Sequence, residues 1–307
     1  MQDVNTERRA AETVTPDLTD ALNEYGPLHH VVLRDVRAAY GDQQRLDRLW
    51  QAQEFQGAPD FAAALAEYEA FHEILADSGA RIDLAPPDER VGLASIYSRD
   101  SSIVASGGTI LCRMRNAYRG PEPAVAGAFY DKLGIPVLGA ITGSGTLEGG
   151  DFVWFDAQTC AVAEGYRTNA EGIRQLKALL GPGVHVAVVP LPHHQGPDAC
   201  LHLMSIISPV DADLAVVYSP LMAVPFRDWL LDRGIQFVEV PDEEFEPTMA
   251  CNVLALGPRK CVMIEGSPKT RARLEAAGCE VIPFKGQEIS IKGAGGPTCL
   301  TRPICRG

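Results

Sequence analysis

Three residues whose side chains can do chemistry stand at one distance from a glycine. Asp100 lies 21 residues after Gly79, His202 lies 21 after Gly181, and Cys299 lies 21 after Gly278. Glu148 comes 14 residues after Gly134, inside "TLEGGD", and Asn252 comes 18 after Gly234. A thiol is a nucleophile, an imidazole moves protons near neutral pH, and a carboxylate accepts N–H donors. A thiol beside a histidine is compatible with acyl transfer, but that chemistry needs no pair of acids. Two carboxylates in an enclosed site suit a planar cation instead, because a guanidinium offers five N–H donors in a fork that carboxylates accept two at a time. Gly149 and Gly150 follow Glu148, and Gly295 and Gly296 precede Cys299, so backbone or ligand is expected to approach closely at both places. Taken singly, each residue has a plain structural explanation. His202 sits between apolar neighbours in "ACLHLMSIIS", where histidine is commonly a core residue, and Cys299 is one of eight cysteines. The shared register is what points to a common site.

The elements that must position these residues repeat along the chain. Five times an amphipathic helix runs into a glycine and then a short β-branched strand. The first helix is expected from Asp60 to Ser78, with Phe61, Leu65, Tyr68 and Leu75 on one face, then Gly79 and a strand over 81–84. "AFYDKLG", "IRQLKALLG", "FRDWLLDRG" and "TRARLEAAG" end at Gly134, Gly181, Gly234 and Gly278, with strands over 135–138, 184–189, 235–240 and 279–282. Further strands are expected over 103–105, 109–112, 152–155, 160–163, 214–218, 252–256 and 261–264. Each unit then reads ββαβ. Such units cannot bury their sheet faces alone, so they pack round a shared centre or stack in a line. An open doubly wound sheet also alternates helix and strand, but no phosphate-cradling glycine loop joins a strand to a helix here. A closed ring would bring equivalent positions together on its axis.

Composition narrows the class. The eight cysteines form no CxxC pair or zinc-like spacing, so free thiols and no metal are expected. A net charge of −13 disfavours nucleic acid, whose phosphates need lysine and arginine partners. No apolar run reaches the roughly 20 residues of a membrane span, and the first residues lack a secretory apolar core. A cytoplasmic protein is expected, with a flexible segment over residues 1–25 and one catalytic domain over 26–307. Arg113, Arg115, Arg119 and Arg167 are candidate partners for a substrate carboxylate.

From about Pro59 to Cys299 the sequence resembles the guanidino-group-modifying (pentein) superfamily, and within it the dimethylarginine dimethylaminohydrolases more than the arginine deiminases or amidinotransferases. The resemblance rests on "PPDER" at 86–90, "RD" at 99–100, "TLEGGD" at 146–151, "RTNAEG" at 167–172, "CLHL" at 200–203, "ACN" at 250–252 and "GGPTC" at 295–299. It implies a five-bladed α/β propeller of pseudo-symmetric ββαβ units round a central site. It also implies Cys299 as nucleophile, His202 as general acid and base, Asp100 and Glu148 as the guanidinium clamp, and Arg119 and Arg167 as ligands of the α-carboxylate. Asp151, in the same motif, is placed with the substrate-binding residues. The implied reaction is hydrolysis of a guanidinium C–N bond of arginine or an Nω-methylated arginine through a covalent thiouronium, without cofactor. An amidinotransferase or a non-catalytic arginine-binding module are the alternatives, and a homodimer is compatible with all three. Two positions depart from the resemblance. Arg99 stands where dimethylarginine hydrolases have an acid, and Met204 stands where deiminases carry Asp. In "LWQAQEFQG", Trp50 and Phe55 fall where a loop should cover the site, either enclosing substrate or packing the loop.

Overall fold

The computed structural model describes residues 22–307. Helix Phe61–Asp77 shows how the local sequence works. The Asp60 side chain accepts the Ala63 backbone N–H at 2.8 Å and caps the start. Ala64, Tyr68, Phe71 and Leu75 form the buried stripe, with Phe61 and Leu65 half-buried beside it. Gly79 ends the phrase at φ +84°, and the other four cap glycines also take left-handed φ values between +71° and +85°. A side chain at any of these would strain the turn that sends the chain from helix to strand.

Among the described residues, fifteen strands form five separate three-stranded sheets. The first joins β1 (Leu28–Arg34) and β2 (Arg81–Ala85) to the last strand, β15 (Arg302–Arg306). The second holds β3 (Ser102–Ala105), β4 (Gly108–Leu111) and β5 (Val137–Ala140). The third holds β6 (Phe152–Asp156), β7 (Thr159–Glu164) and β8 (His185–Pro190). The fourth holds β9 (Ile207–Asp211), β10 (Leu214–Val217) and β11 (Gln236–Glu239), and the fifth β12 (Leu254–Gly257), β13 (Lys260–Ile264) and β14 (Glu280–Phe284). In each sheet the middle strand pairs antiparallel on one side and parallel on the other, the pattern of a ββαβ unit. β12 lies against both β9 and β1, and β15 lies against β3, so the sheets close into a ring. The fold is a five-bladed α/β propeller, not an open sheet. Its last strand completes the first blade.

The twelve expected strands all occur, shifted by one or two residues. β1, β9 and β15 lie outside the repeating phrase. β9 contains Pro209, which lacks an N–H, and it is an edge strand, where that loss is tolerated. Of the expected flexible segment over 1–25, residues 1–21 lie outside the described residues. Leu22 and Glu24 are buried. Glu24 meets Arg99 at 2.9 Å inside the ring.

Candidate active site

The chain leaves each blade and enters the next through a connection that carries one of the residues in register. Asp100 precedes β3, Glu148 precedes β6, His202 precedes β9, Asn252 precedes β12 and Cys299 precedes β15. A cavity of about 570 Å³ is lined by Asp100, His202, Asn252 and Cys299, among others. Five non-glycine residues among those described take left-handed φ values, and four of them, Glu54, His194, Met249 and Ala294, line this cavity. Backbone strain concentrated on four different segments round one space is characteristic of a functional site.

Cys299 is half-buried, and its Sγ receives the Asn252 Nδ2–H at 3.4 Å. Asn252 Oδ1 in turn accepts the Thr298 backbone N–H at 3.0 Å and its hydroxyl at 2.8 Å, so the fifth register residue fixes the turn bearing the thiol. Burial pushes the Cys299 thiol up, the charges of Asp100 and Cys200 add to this, and His202 works the other way. The thiol therefore rests largely protonated until a cation arrives.

His202 opens a short helical turn, Leu203–Ser205, and its backbone N–H donates to Ser205 Oγ at 3.1 Å. Asp151 Oδ1 accepts the Leu203 N–H at 3.1 Å and anchors the same turn from below. Nε2 of His202 lies 2.8 Å from Glu148 Oε2, and Nδ1 lies 3.8 Å from Cys200 Sγ. Because Nε2 faces a carboxylate it carries the proton, which leaves Nδ1 as the edge for proton transfer. Burial pulls the imidazole down, but Cys200, Asp151 and Glu148 outweigh it and hold His202 well above the ordinary histidine range. A Cβ at Gly150 would stand 2.5 Å from Nδ1 and 2.9 Å from Asp100 Oδ1, so only glycine admits both side chains.

Asp100 Oδ1 accepts the Gly150 N–H at 3.1 Å, and Oδ2 accepts Arg119 Nη1 at 2.7 Å. Burial opposes its charge, but Arg119 and His202 prevail and hold the carboxyl below its ordinary value. Arg119 also gives Nε and Nη2 to Glu122, and Nη2 to the carbonyls of Ala94 and Tyr97. Of its five N–H groups this leaves one, on Nη1, for a ligand. Arg167 is freer. Its Nη1 lies 3.8 Å from Glu148, and its buried Nε has no partner among the described residues.

Glu148 is fully buried behind His202, its Oε1 taken by the Arg115 backbone N–H at 3.0 Å, and it does not line the cavity. The expected two-acid clamp is thus divided, with Asp100 in front and Glu148 behind. Asp151 is also buried outside the lining, its carboxyl pushed up to about 6 by burial, with His202 pulling the other way. Trp50 caps the end of helix Gln43–Leu49 and packs on the core cluster beside it, away from the cavity; the lining aromatic of that loop is Phe55, against Tyr97. The Arg113 guanidinium bonds the Gly145 carbonyl and that of Arg115 the Pro197 carbonyl, both outside the lining. A Cβ at Gly295 would meet the Tyr97 ring at 2.4 Å and one at Gly296 would meet Asn252 at 2.4 Å, so side chains rather than open space fill those positions. Arg99 points away from the cavity to Glu24, while Met204 is buried and lines it. Cys200 and Glu122 were not singled out by sequence. Cys200 stands two residues before His202 in "CLHL", and Glu122 stands three after Arg119, a helical spacing that puts that pair on one face.

Comparison with known proteins identifies the family. A sequence model of the family described as N,N dimethylarginine dimethylhydrolase, eukaryotic, matches residues 49–306. The N(G),N(G)-dimethylarginine dimethylaminohydrolase of Pseudomonas aeruginosa is 28% identical over 247 residues, covering 80% of this chain and 90% of that protein. The arginine deiminase of Rhodococcus erythropolis is 26% identical over 247 residues, covering 69% of this chain and 60% of that protein. The chain thus spans less than two thirds of the deiminase. A dimethylarginine dimethylaminohydrolase solved as an adduct with S-methyl-L-thiocitrulline superposes with a TM-score of 0.71 at 25% identity, covering 89% of this chain and 98% of that one. With a match across most of its length, the chain belongs to the N,N dimethylarginine dimethylhydrolase family.

Proposed function

We propose that this chain hydrolyses a guanidinium C–N bond of free arginine or an Nω-methylated arginine, giving citrulline and an amine or ammonia. The observation that carries the reading is the convergence of Asp100, His202, Asn252 and Cys299 from four different connections onto one cavity, with Glu148 directly behind His202. The guanidinium sits against Asp100, and its positive charge lowers the thiol of Cys299 toward thiolate. The thiol releases its proton to solvent, and Sγ attacks the guanidinium carbon to form a tetrahedral adduct. His202 then gives its Nδ1 proton to the departing amine as the C–N bond breaks, leaving an S-linked thiouronium on Cys299. Water enters, His202 takes its proton at Nδ1, and the oxygen adds to the same carbon. Collapse breaks the C–S bond and passes the hydroxyl proton to the departing sulfur, releasing citrulline and the Cys299 thiol.

Glu148 keeps the imidazole oriented, and Arg119 keeps Asp100 ionised. Arg167, with its unpartnered Nε, is the better ligand for the α-carboxylate. The test is a panel of free guanidino compounds, including arginine, monomethylarginine and dimethylarginine, with citrulline, ammonia and methylamines measured. Citrulline formed without an added amine supports the reading. Product that requires an acceptor amine makes the chain an amidinotransferase, and no turnover of any guanidine removes the assignment.

A further inference from the structure

The cavity holds a second thiol. Cys200 lines it together with Cys299, and its Sγ is the contact at 3.8 Å from His202 Nδ1. The other ring nitrogen is fixed on Glu148 at 2.8 Å, and Gly150 leaves no room for a side chain against the Nδ1 edge. Cys200 therefore reaches the atom that must move the proton.

We propose that Cys200 is a positioning residue for His202: its sulfur holds the Nδ1 edge of the imidazole, so the free site keeps a thiol–imidazole pair that the substrate opens. The proposal rests on the reading above, in which His202 serves the leaving amine and then water. One proton lies between Sγ and Nδ1. Either the S–H donates to neutral Nδ1, or the imidazolium N–H donates to the thiolate, and the total charge is the same. The groups facing the pair are Glu148, Asp151 and Asp100 round His202, Arg167 beside Cys200, and Cys299 across the cavity. Cys200 is exposed at the cavity wall, so the burial that raises its thiol is only partial; His202 and Arg167 outweigh it and bring the thiol below the ordinary value, whereas that of Cys299 is raised. The two thiols should differ in reactivity, Cys200 being the more ionised in the free enzyme. The pair titrates as a unit, so its removal should show on the histidine.

The experiment compares wild type, Cys200→Ala and Cys200→Ser as full chains. The His202 imidazole is titrated by NMR in the free protein, kcat and KM are measured against pH, and iodoacetamide labelling at neutral pH is mapped by mass spectrometry. In Cys200→Ala the His202 titration should move to lower pH by about one unit, because the negative partner is gone. Its kcat should fall roughly tenfold with little change in KM, since ring orientation and not substrate binding is lost. Cys200→Ser keeps a hydrogen-bonding group but not the thiolate, so it should recover most of kcat while retaining the shifted titration. Wild type should label at Cys200 before Cys299. An unchanged His202 titration in Cys200→Ala, or a shifted titration with unchanged kcat, overturns the proposal. The titration needs no turnover, so it judges this pair even if every guanidine in the panel is inert.

Discussion

Glu148 Oε2 and His202 Nε2 lie 2.8 Å apart on connections into neighbouring blades, with the carboxylate fully buried and the imidazole at the cavity wall. That bond fixes which nitrogen faces the substrate. Glu148→Gln keeps the shape but removes the charge that helps hold His202 protonated. The His202 limb of the pH–rate profile should move to lower pH, because a pKa raised by an anion falls when the anion is neutralised. Loss of kcat/KM should be roughly thirtyfold to several-thousandfold, the range for truncating a buried charged pair. An unmoved limb in kcat/KM measured from pH 5 to 9 would show that Glu148 does not govern His202.

Cys299→Ser should abolish turnover and leave the melting temperature near that of wild type, since a hydroxyl is a far poorer nucleophile near neutral pH. In the wild-type free enzyme, alkylation of Cys299 should be slow at pH 7 and accelerate as the pH rises, because burial and nearby negative charge raise its thiol. A trapped adduct with an amidine or activated guanidine should map to Cys299. In a Cys200→Ala background, an adduct on a cysteine other than Cys299 would show that the nucleophile is misassigned.

Gly150→Ala tests how closely the two halves of the site meet. Its Cβ would stand 2.5 Å from His202 Nδ1 and 2.9 Å from Asp100 Oδ1, so one of these must move. Displacement by about 1 Å from reacting geometry is worth roughly a hundredfold in rate. The expected result is such a drop in kcat with the fold retained by circular dichroism. Near-normal kcat would mean that neither side chain needs its observed place.

Much of this was legible in the sequence, for a physical reason. A left-handed cap favours glycine, so Gly79, Gly134, Gly181, Gly234 and Gly278 mark the units. The repeat then put Asp100, Glu148, His202, Asn252 and Cys299 at equivalent connections. What stayed hidden depends on contacts between distant segments. β1 pairs with β15 across nearly the whole chain, and no local pattern announces that. Trp50 and Phe55 belong to one loop, and only packing sends Phe55 to the cavity and Trp50 to the outer core. That Glu148 stands behind His202 while Asp100 faces the cavity also depends on side-chain direction, which residue type does not encode.

Arg119 and Arg167 should separate on mutation. Arg119→Ala removes the partner of two buried carboxylates, Asp100 and Glu122, and leaving buried charge uncompensated costs about 3–5 kcal/mol. It should lower the melting temperature and reduce activity on every guanidine, agmatine included, through the displaced Asp100. Arg167→Ala should chiefly raise KM for amino-acid substrates and spare agmatine, which has no carboxylate. Equal effects of Arg167→Ala on arginine and agmatine would remove its assignment as the carboxylate ligand.

The last test concerns what holds the Cys299 turn from behind. Arg99 gives two guanidinium nitrogens to Glu24, Nε to the Thr298 carbonyl at 3.1 Å, and its backbone N–H to the Cys299 carbonyl at 3.1 Å. Burial raises the Glu24 carboxyl, but Arg99, Arg306 and Arg302 together bring it below the ordinary value. Glu24→Gln leaves these buried cations without their carboxylate and should lose about 3–5 kcal/mol at neutral pH. The sign of the pH dependence follows from the depressed carboxyl. Its contribution is complete above the unfolded value near ~4.3 and disappears as pH falls through the lower folded value. The stability gap between wild type and Glu24→Gln in urea unfolding should therefore be constant from pH 6 to 8 and narrow below about pH 4. Because Arg99 bonds the backbone on both sides of the nucleophile's peptide, Glu24→Gln should also reduce kcat without blocking substrate binding. A gap that is already absent at pH 7 would mean that Arg99 is compensated without Glu24.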